Sequence, residues 1–349
     1  MNQLLNFQSP SPSSATLVER RAVIDVGTNS VKLLVADVGF TLKPVLRLSL
    51  QTSLGQGAFR TGRLRPEAIA RTADAVAQFA SEAVELGCNS IQVVATSAAR
   101  DTANGNDLVQ AIRIATELSV DVISGEQEAE YVFEGVTSDP LMGSYPTLIV
   151  KVGGGSAEWI VAEYGRIVYR KSSSIGTLRL LEFQPLDDSP TQADLALLRA
   201  AAQDIMRAEI SPSLTPALRA LRGRTVRLVG LGSSLQALAQ LSSKPAASAL
   251  GQPVQLHREQ LLELLERLWR LSRQERQLLG GLDPQKADLI MSAAVVYERV
   301  MSEFGFDEML VSSRGFREGM LLVGPAKTVF HRRPGVADTL RLAYDRAGT

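Results

Sequence analysis

Apolar positions along this chain alternate between a strand spacing and a helix spacing. Residues 22–38 form a β-branched apolar run broken by a turn at Gly27, and residues 44–50 extend the pattern as a further strand. Behind Pro66, residues 67–86 change to a helical period. Ile69, Ala73, Val76, Phe79 and Val84 return on one face until Gly87 ends the stripe. Residues 91–96 read as a buried strand, and a cap at Asn106 or Asp107 opens a helix that runs to Leu118. Residues 120–123 supply another strand. Strand, helix and strand in this order predict an α/β domain.

The pattern then starts again. Residues 125–135 have helical spacing, 147–152 form a strand that ends in a second glycine turn, and 159–162 with 166–169 alternate around Gly165 as a hairpin. An architectural duplication follows, in which each half opens on strand, glycine turn and strand. Helices are expected at 192–209, 258–276, 284–304 and 317–322, with strands at 225–229 and 308–312. A third glycine turn, 230–234, also opens a helix. The apolar stretch 261–271, with Leu262, Leu265, Leu268 and Trp269, fits core or dimer surface better than a ligand site. The expected division is a disordered tail at 1–20, domains at 21–130 and 131–325, and an extension at 326–349, with the changeover near 124–146.

A chain of 349 residues is long for one core, and 45% hydrophobic with 21% charged residues suits a globular protein of two domains. Its 37 basic and 37 acidic residues cancel, so the overall field offers little attraction for nucleic acid or an anionic membrane. The lone Cys88 has no internal disulfide partner. With only His257 and His331, both read as surface residues, a zinc site lacks ligands. A reducing cytoplasm is the expected setting. The Ser/Pro-rich start lacks a basic segment followed by an apolar one, as a signal peptide would have, and nowhere do about 18 apolar residues run together.

The chemistry concentrates at the two repeated turns. Asp25-Val26-Gly27-Thr28-Asn29-Ser30 and Lys151-Val152-Gly153-Gly154-Gly155-Ser156-Ala157-Glu158 each offer backbone N–H groups, hydroxyls and a carboxylate after a β-branched run. That is the equipment of a phosphate clamp, present twice. Asp25 in the first turn corresponds to Lys151 in the second.

With these turns, the segments Ala95-Thr96-Ser97-Ala98-Ala99-Arg100, Ile123-Ser124-Gly125-Glu126-Gln127-Glu128-Ala129, Ser174-Ile175-Gly176-Thr177-Leu178-Arg179-Leu180 and Arg314-Gly315-Phe316-Arg317-Glu318-Gly319 resemble, in order, the exopolyphosphatase and guanosine pentaphosphate phosphohydrolase family. The likeness runs from residue 22 to 322. It implies two ribonuclease H-like domains of the actin-like ATPase superfamily with a cleft between them. It also implies a short form that ends before the helical metal-phosphohydrolase domain of longer members, and a possible homodimer. The implied reaction is magnesium-assisted hydrolysis of a terminal phosphoanhydride in inorganic polyphosphate or a phosphorylated guanine nucleotide. By resemblance, Glu128 orients or deprotonates the attacking water and Arg100 grips phosphoryl oxygens. Thr28, Asn29, Ser30, Gly154, Gly155, Ser156, Gly232 and Ser233 donate to phosphates, Asp25 and Glu158 hold magnesium, and Arg317 makes a weaker contact.

This chain departs from the family pattern at the site. The family has aspartate where Lys151 stands, threonine at Ala157, and a Gly-Thr-Gly-Gly-Thr turn where Gly230-Leu231-Gly232-Ser233-Ser234 occurs. Exchanging a carboxylate for an ammonium shifts the local charge by about two units, which disfavours a metal cation and favours phosphate. Lys151 is therefore a candidate fixed cation and phosphate ligand that also competes for Glu128. The expected function is a phosphoanhydride hydrolase, with a catalytically impaired polyphosphate- or nucleotide-binding paralogue as the alternative. A sugar kinase or ATPase rests on the fold alone and is disfavoured by the match to the phosphatase motifs around Glu128 and Arg317. Singly, a glycine turn is usually just a turn and Arg100 a surface ion pair; only the ordered set of motifs is specific.

Overall fold

The computed structural model describes residues 18–242, 254–280 and 282–323. Residues 1–17 of the expected tail, the extension at 326–349 and His331 lie outside the described residues. Glu19 and Arg20, expected in the tail, already belong to the first strand.

Five strands form the first sheet: β1 (Glu19–Val26), β2 (Ser30–Val38), β3 (Leu42–Gln51), β4 (Ser90–Ala95) and β5 (Val120–Val122), in the order β3-β2-β1-β4-β5. The second sheet holds β6 (Thr147–Val152), β7 (Ala157–Glu163), β8 (Arg166–Ser173), β9 (Arg227–Leu231), β10 (Val254–His257) and β11 (Glu308–Val311), in the order β10-β11-β9-β6-β7-β8. In both sheets an antiparallel meander of three strands is followed by two parallel ones. β10 is an antiparallel edge strand added to the second sheet. The duplication expected from the sequence is thus an α/β pair of sheets.

Period-2 alternation sends the side chains of the central strands into two cores. Ala22, Ile24 and Val26 face the helices Pro66–Glu85 and Gly105–Thr116, while Val23 points the other way. In β6, Leu148, Val150 and Val152 join the core beneath Arg258–Trp269 and Leu289–Phe304, and Ile149 joins the middle one. That middle core lies between the sheets and is built on the helices Gly125–Thr137 and Phe316–Val323. Their backbones nearly touch: a Cβ at Gly135 would fall 1.8 Å from the Gly315 carbonyl oxygen, and one at Gly319 would fall 1.8 Å from that of Tyr131. The division expected between residues 130 and 131 falls inside Gly125–Thr137.

Several elements differ from expectation for local reasons. The strand expected at 225–229 is Arg227–Leu231, because Gly230 is a close-packing residue rather than a turn; a Cβ there would lie 2.4 Å from Met309 Sδ. The helix expected at 258–276 breaks after Trp269, where Ser272 and Glu275 form a capping box for Arg273–Gln277. Gly105–Thr116 follows Asn104, whose side chain accepts from Leu64 N–H and donates to Leu64 C=O instead of capping, so Asn106 and Asp107 lie within the first turn. The helix expected at 192–209 runs over Gln192–Ile205 and continues as a π-helical turn, Met206–Ile210. Leu261, Leu265, Leu268 and Trp269 are buried in the second sheet's core, and His257 is exposed. No helix among the described residues is long and apolar enough to cross a membrane.

Candidate active site

The two repeated turns each close with the same internal backbone bond and face each other. Gly27 N–H donates to Ser30 C=O at 3.1 Å, and Gly153 N–H to Ser156 C=O at 2.8 Å. Glycine is required where they meet: a Cβ at Gly155 would lie 2.5 Å from Ser97 Oγ and 2.8 Å from Thr28 Oγ1. The helix Thr177–Phe183 straps the second turn, with the N–H groups of Leu178 and Arg179 donating to Gly154 C=O at 2.9 and 3.0 Å. The third turn closes the side. Gly232 has φ +134°, and a Cβ there would lie 2.9 Å from the Val152 carbonyl oxygen. Tyr297 ties the turns together, accepting from Val152 N–H at 3.1 Å and donating to Leu231 C=O at 2.6 Å.

Between the turns is a cleft of about 90 Å³, walled by Asp25, Thr28, Asn29, Ser30, Glu128, Lys151, Gly154, Gly155, Ser156, Gly232 and Ser233. Three expected site residues are not on that wall. Glu158 is fully buried behind Lys151, and Arg100 lies beside Glu128 and lines a neighbouring pocket. Arg317 lines an adjoining chamber that shares Asp25, Lys32, Lys151 and Lys286 with the cleft.

Strand register explains the charges. In the first repeat Asp25 stands opposite Lys32; in the second Lys151 stands opposite Glu158. The same antiparallel position thus carries an acid–base pair in both halves, with the signs exchanged. The Lys151 ammonium is bonded to Glu128 Oε1 and lies 2.9 Å from Glu158 Oε2. Glu158 Oε1 accepts from Ser156 Oγ at 2.8 Å and Ser172 Oγ at 3.1 Å, so both its oxygens are engaged. Burial would pull the Lys151 ammonium down, but attraction to Glu128 and Glu158 overrides it and holds the group above the ordinary lysine range. Burial, and then repulsion from Glu128, raise the Glu158 carboxyl against the pull of Lys151. Burial also raises the Asp25 carboxyl, offset in part by Lys32, Arg317 and Lys151. Lys32 is pushed down to about 8 by burial, helped by Arg317, Lys286 and Lys151 and opposed by Asp25.

Glu128 owes its position to the Ser124–Gln127 capping box that starts Gly125–Thr137. Its residue is 1% exposed, and Oε2 accepts no hydrogen bond from a described residue. Arg100 Nη1 stands 3.5 Å from that oxygen and donates instead to Ile123 C=O at 3.0 Å. Asp101 links Arg100 to Arg179, whose guanidinium lies 4.0 Å from the Phe59 ring centroid.

Magnesium does not fit this donor set. It requires hard oxygen ligands free to coordinate in an octahedron. Here Glu158 is spent on Lys151 and two hydroxyls, and the Lys151 ammonium stands between the carboxylates. Among the described residues no group of three or more His, Cys, Asp or Glu side chains is arranged to hold a metal ion.

Sequence reasoning missed Lys32, Lys286, Ser97 and Thr177 on the cleft wall and Arg179 beside it. Lys32 was legible in principle, since a strand-turn-strand register centred on Gly27 puts it opposite Asp25. Lys286 arrives through tertiary packing and left no local signal.

The Ppx/GppA phosphatase family matches residues 33–324. The chain is 34% identical over 322 residues to "Exopolyphosphatase 2" of Mycobacterium tuberculosis, covering 87% of this chain and 98% of that protein. It is 25% identical to the "Guanosine-5'-triphosphate,3'-diphosphate pyrophosphatase" of Aeromonas hydrophila over 86% of this chain and 58% of that one. The crystal structure of an exopolyphosphatase from Cytophaga hutchinsonii superposes with a TM-score of 0.78 at 25% identity, over 87% of this chain and 96% of that one. With such neighbours the two-sheet architecture is the actin-like fold expected from the sequence.

Proposed function

The chain belongs to the Ppx/GppA phosphatase family, and on that footing we propose that it hydrolyses the terminal phosphoanhydride of a phosphate chain bound between the two glycine turns. The substrate is inorganic polyphosphate or guanosine pentaphosphate. One observation carries the reading: Glu128 lines the cleft with one oxygen bonded to Lys151, while the other takes no hydrogen bond from a described residue and has only the Arg100 guanidinium 3.5 Å away. Buried carboxylate oxygens are nearly always hydrogen-bonded, so one left without such a bond beside a phosphate clamp marks where a water proton is accepted.

In this reading the N–H groups and hydroxyls of Thr28, Asn29, Ser30, Gly154, Gly155, Ser156 and Ser233 hold the phosphoryl oxygens, with Gly232 leaving room for close approach. Arg100 and Lys151 carry the developing charge. Water attacks the terminal phosphorus, its proton passes to Glu128 Oε2, and the bond to the bridging oxygen breaks. Orthophosphate and a shortened chain leave. Phosphate release from long-chain polyphosphate and from guanosine pentaphosphate tests this. Turnover that falls by about 100-fold or more in Glu128→Gln supports it; turnover indifferent to that change removes Glu128 from the chemistry.

A second reading is favoured by the Lys151–Glu128 bond itself, which engages the proposed base. In that case the protein binds phosphate chains tightly and releases no phosphate.

A further inference from the structure

We infer that Lys151 does the work of a divalent cation in this cleft, so that a phosphate chain is held by a lysine built into the strand and its binding does not require magnesium. The inference rests on the phosphate-cleft reading above. An ammonium has three donors. Lys151 gives one to Glu128 and one to Glu158, and it lines the cleft that its third donor can serve. A lysine acts on phosphate as a point charge, as a metal ion does, but it is anchored by its own backbone.

Three further observations agree. First, a divalent ion seeking Glu128, Glu158 and Asp25 would have to displace an ammonium already bonded to two of them and then remain beside it. Second, the cation is permanent, because its two carboxylate partners hold it protonated through the physiological range. Third, the exchanged register leaves a second ammonium across the cleft. Lys32 faces Asp25 in the first repeat, and it and Lys286 line the same space. The cleft therefore meets an anion with three lysines, Lys32, Lys151 and Lys286, and it already neutralises the buried carboxylates that would otherwise demand a metal.

The test is calorimetric binding of inorganic tripolyphosphate to the wild-type protein in excess EDTA and in excess magnesium, with Mn²⁺ binding to the protein alone read by electron paramagnetic resonance. The expected result is comparable or tighter tripolyphosphate binding in EDTA, and no Mn²⁺ bound by the wild type. Lys151→Asp should bind Mn²⁺, gain thermal stability from it, and need a divalent ion to bind tripolyphosphate. Wild-type affinity that drops about tenfold or more on chelation, or Mn²⁺ bound by the wild type alone, would overturn the inference. These wild-type arms decide the matter even if Lys151→Asp does not fold. Binding only with magnesium leaves the phosphate-cleft reading standing and removes this one; no binding in either condition removes both.

Discussion

Replacing Lys151 with methionine isolates what the buried charge cluster does for the fold. The substitution keeps an unbranched side chain and removes the ammonium between Glu128 and Glu158, which are 1% and 0% exposed. Breaking a buried ion pair by removing one partner costs about 3–5 kcal/mol, because the charges left behind are uncompensated. The loss depends on pH in a definite direction. Burial and Glu128 already raise the Glu158 carboxyl, and Lys151 is the main cation pulling it down. Without Lys151 its folded value climbs further above the unfolded value of about 4.3. Between those values the folded chain binds more protons than the unfolded one, so stability falls as pH rises. The deficit is therefore greatest above the raised value and narrows as pH drops towards the unfolded one. Wild-type Lys151 is raised, so its contribution is fully present below the unfolded lysine value of about 10.4 and does not change across this window. Urea unfolding followed through the buried Trp159 and Trp269 reads the difference. A deficit below about 1 kcal/mol near neutrality, or one equally large in acid, would mean that the Glu128–Lys151–Glu158 cluster is not held by the buried ammonium.

Two other perturbations have defined outcomes. Lys32 loses its proton near 8, so tripolyphosphate affinity should weaken as pH rises through about 8 in the wild type and stay flat there in Lys32→Met; calorimetry at several pH values checks it, and a step retained in the variant rules Lys32 out. Gly319→Ala puts a Cβ 1.8 Å from the Tyr131 carbonyl oxygen, forcing apart the helices Phe316–Val323 and Gly125–Thr137. It should destabilise by about 3 kcal/mol or more and lower turnover through Glu128; a neutral substitution in denaturant titration would mean that the pair is loosely packed.

Much of the fold was legible because the two sheets alternate cleanly and the glycine turns punctuate them. What was lost depended on packing that no local pattern encodes. Gly230 reads as a turn residue in sequence, yet it is a strand glycine made necessary by Met309. The edge strand β10 has four residues and gains its place only by pairing with β11. The periodic stretch at 258–276 hides a break, because the Ser272–Glu275 box competes with helix continuation. At the site, Glu128, Lys151 and the turn residues could be named from motif order. Their charge balance needed the register: only the pairing of Asp25 with Lys32 and Lys151 with Glu158 reveals that the repeat exchanges acid and base. Glu158, expected to hold magnesium directly or through water, is a buried partner of Lys151, and Arg179 reaches Asp101 only through the folded chain.

Water attack assisted by Glu128 is tested by hydrolysis of long-chain polyphosphate in ¹⁸O-labelled water, with the released orthophosphate read by mass spectrometry. One labelled oxygen is expected in each phosphate released by the wild-type protein, with the labelled product from Glu128→Gln reduced about 100-fold or more. Unlabelled phosphate, or labelled phosphate released equally by the variant, would contradict water attack assisted by Glu128.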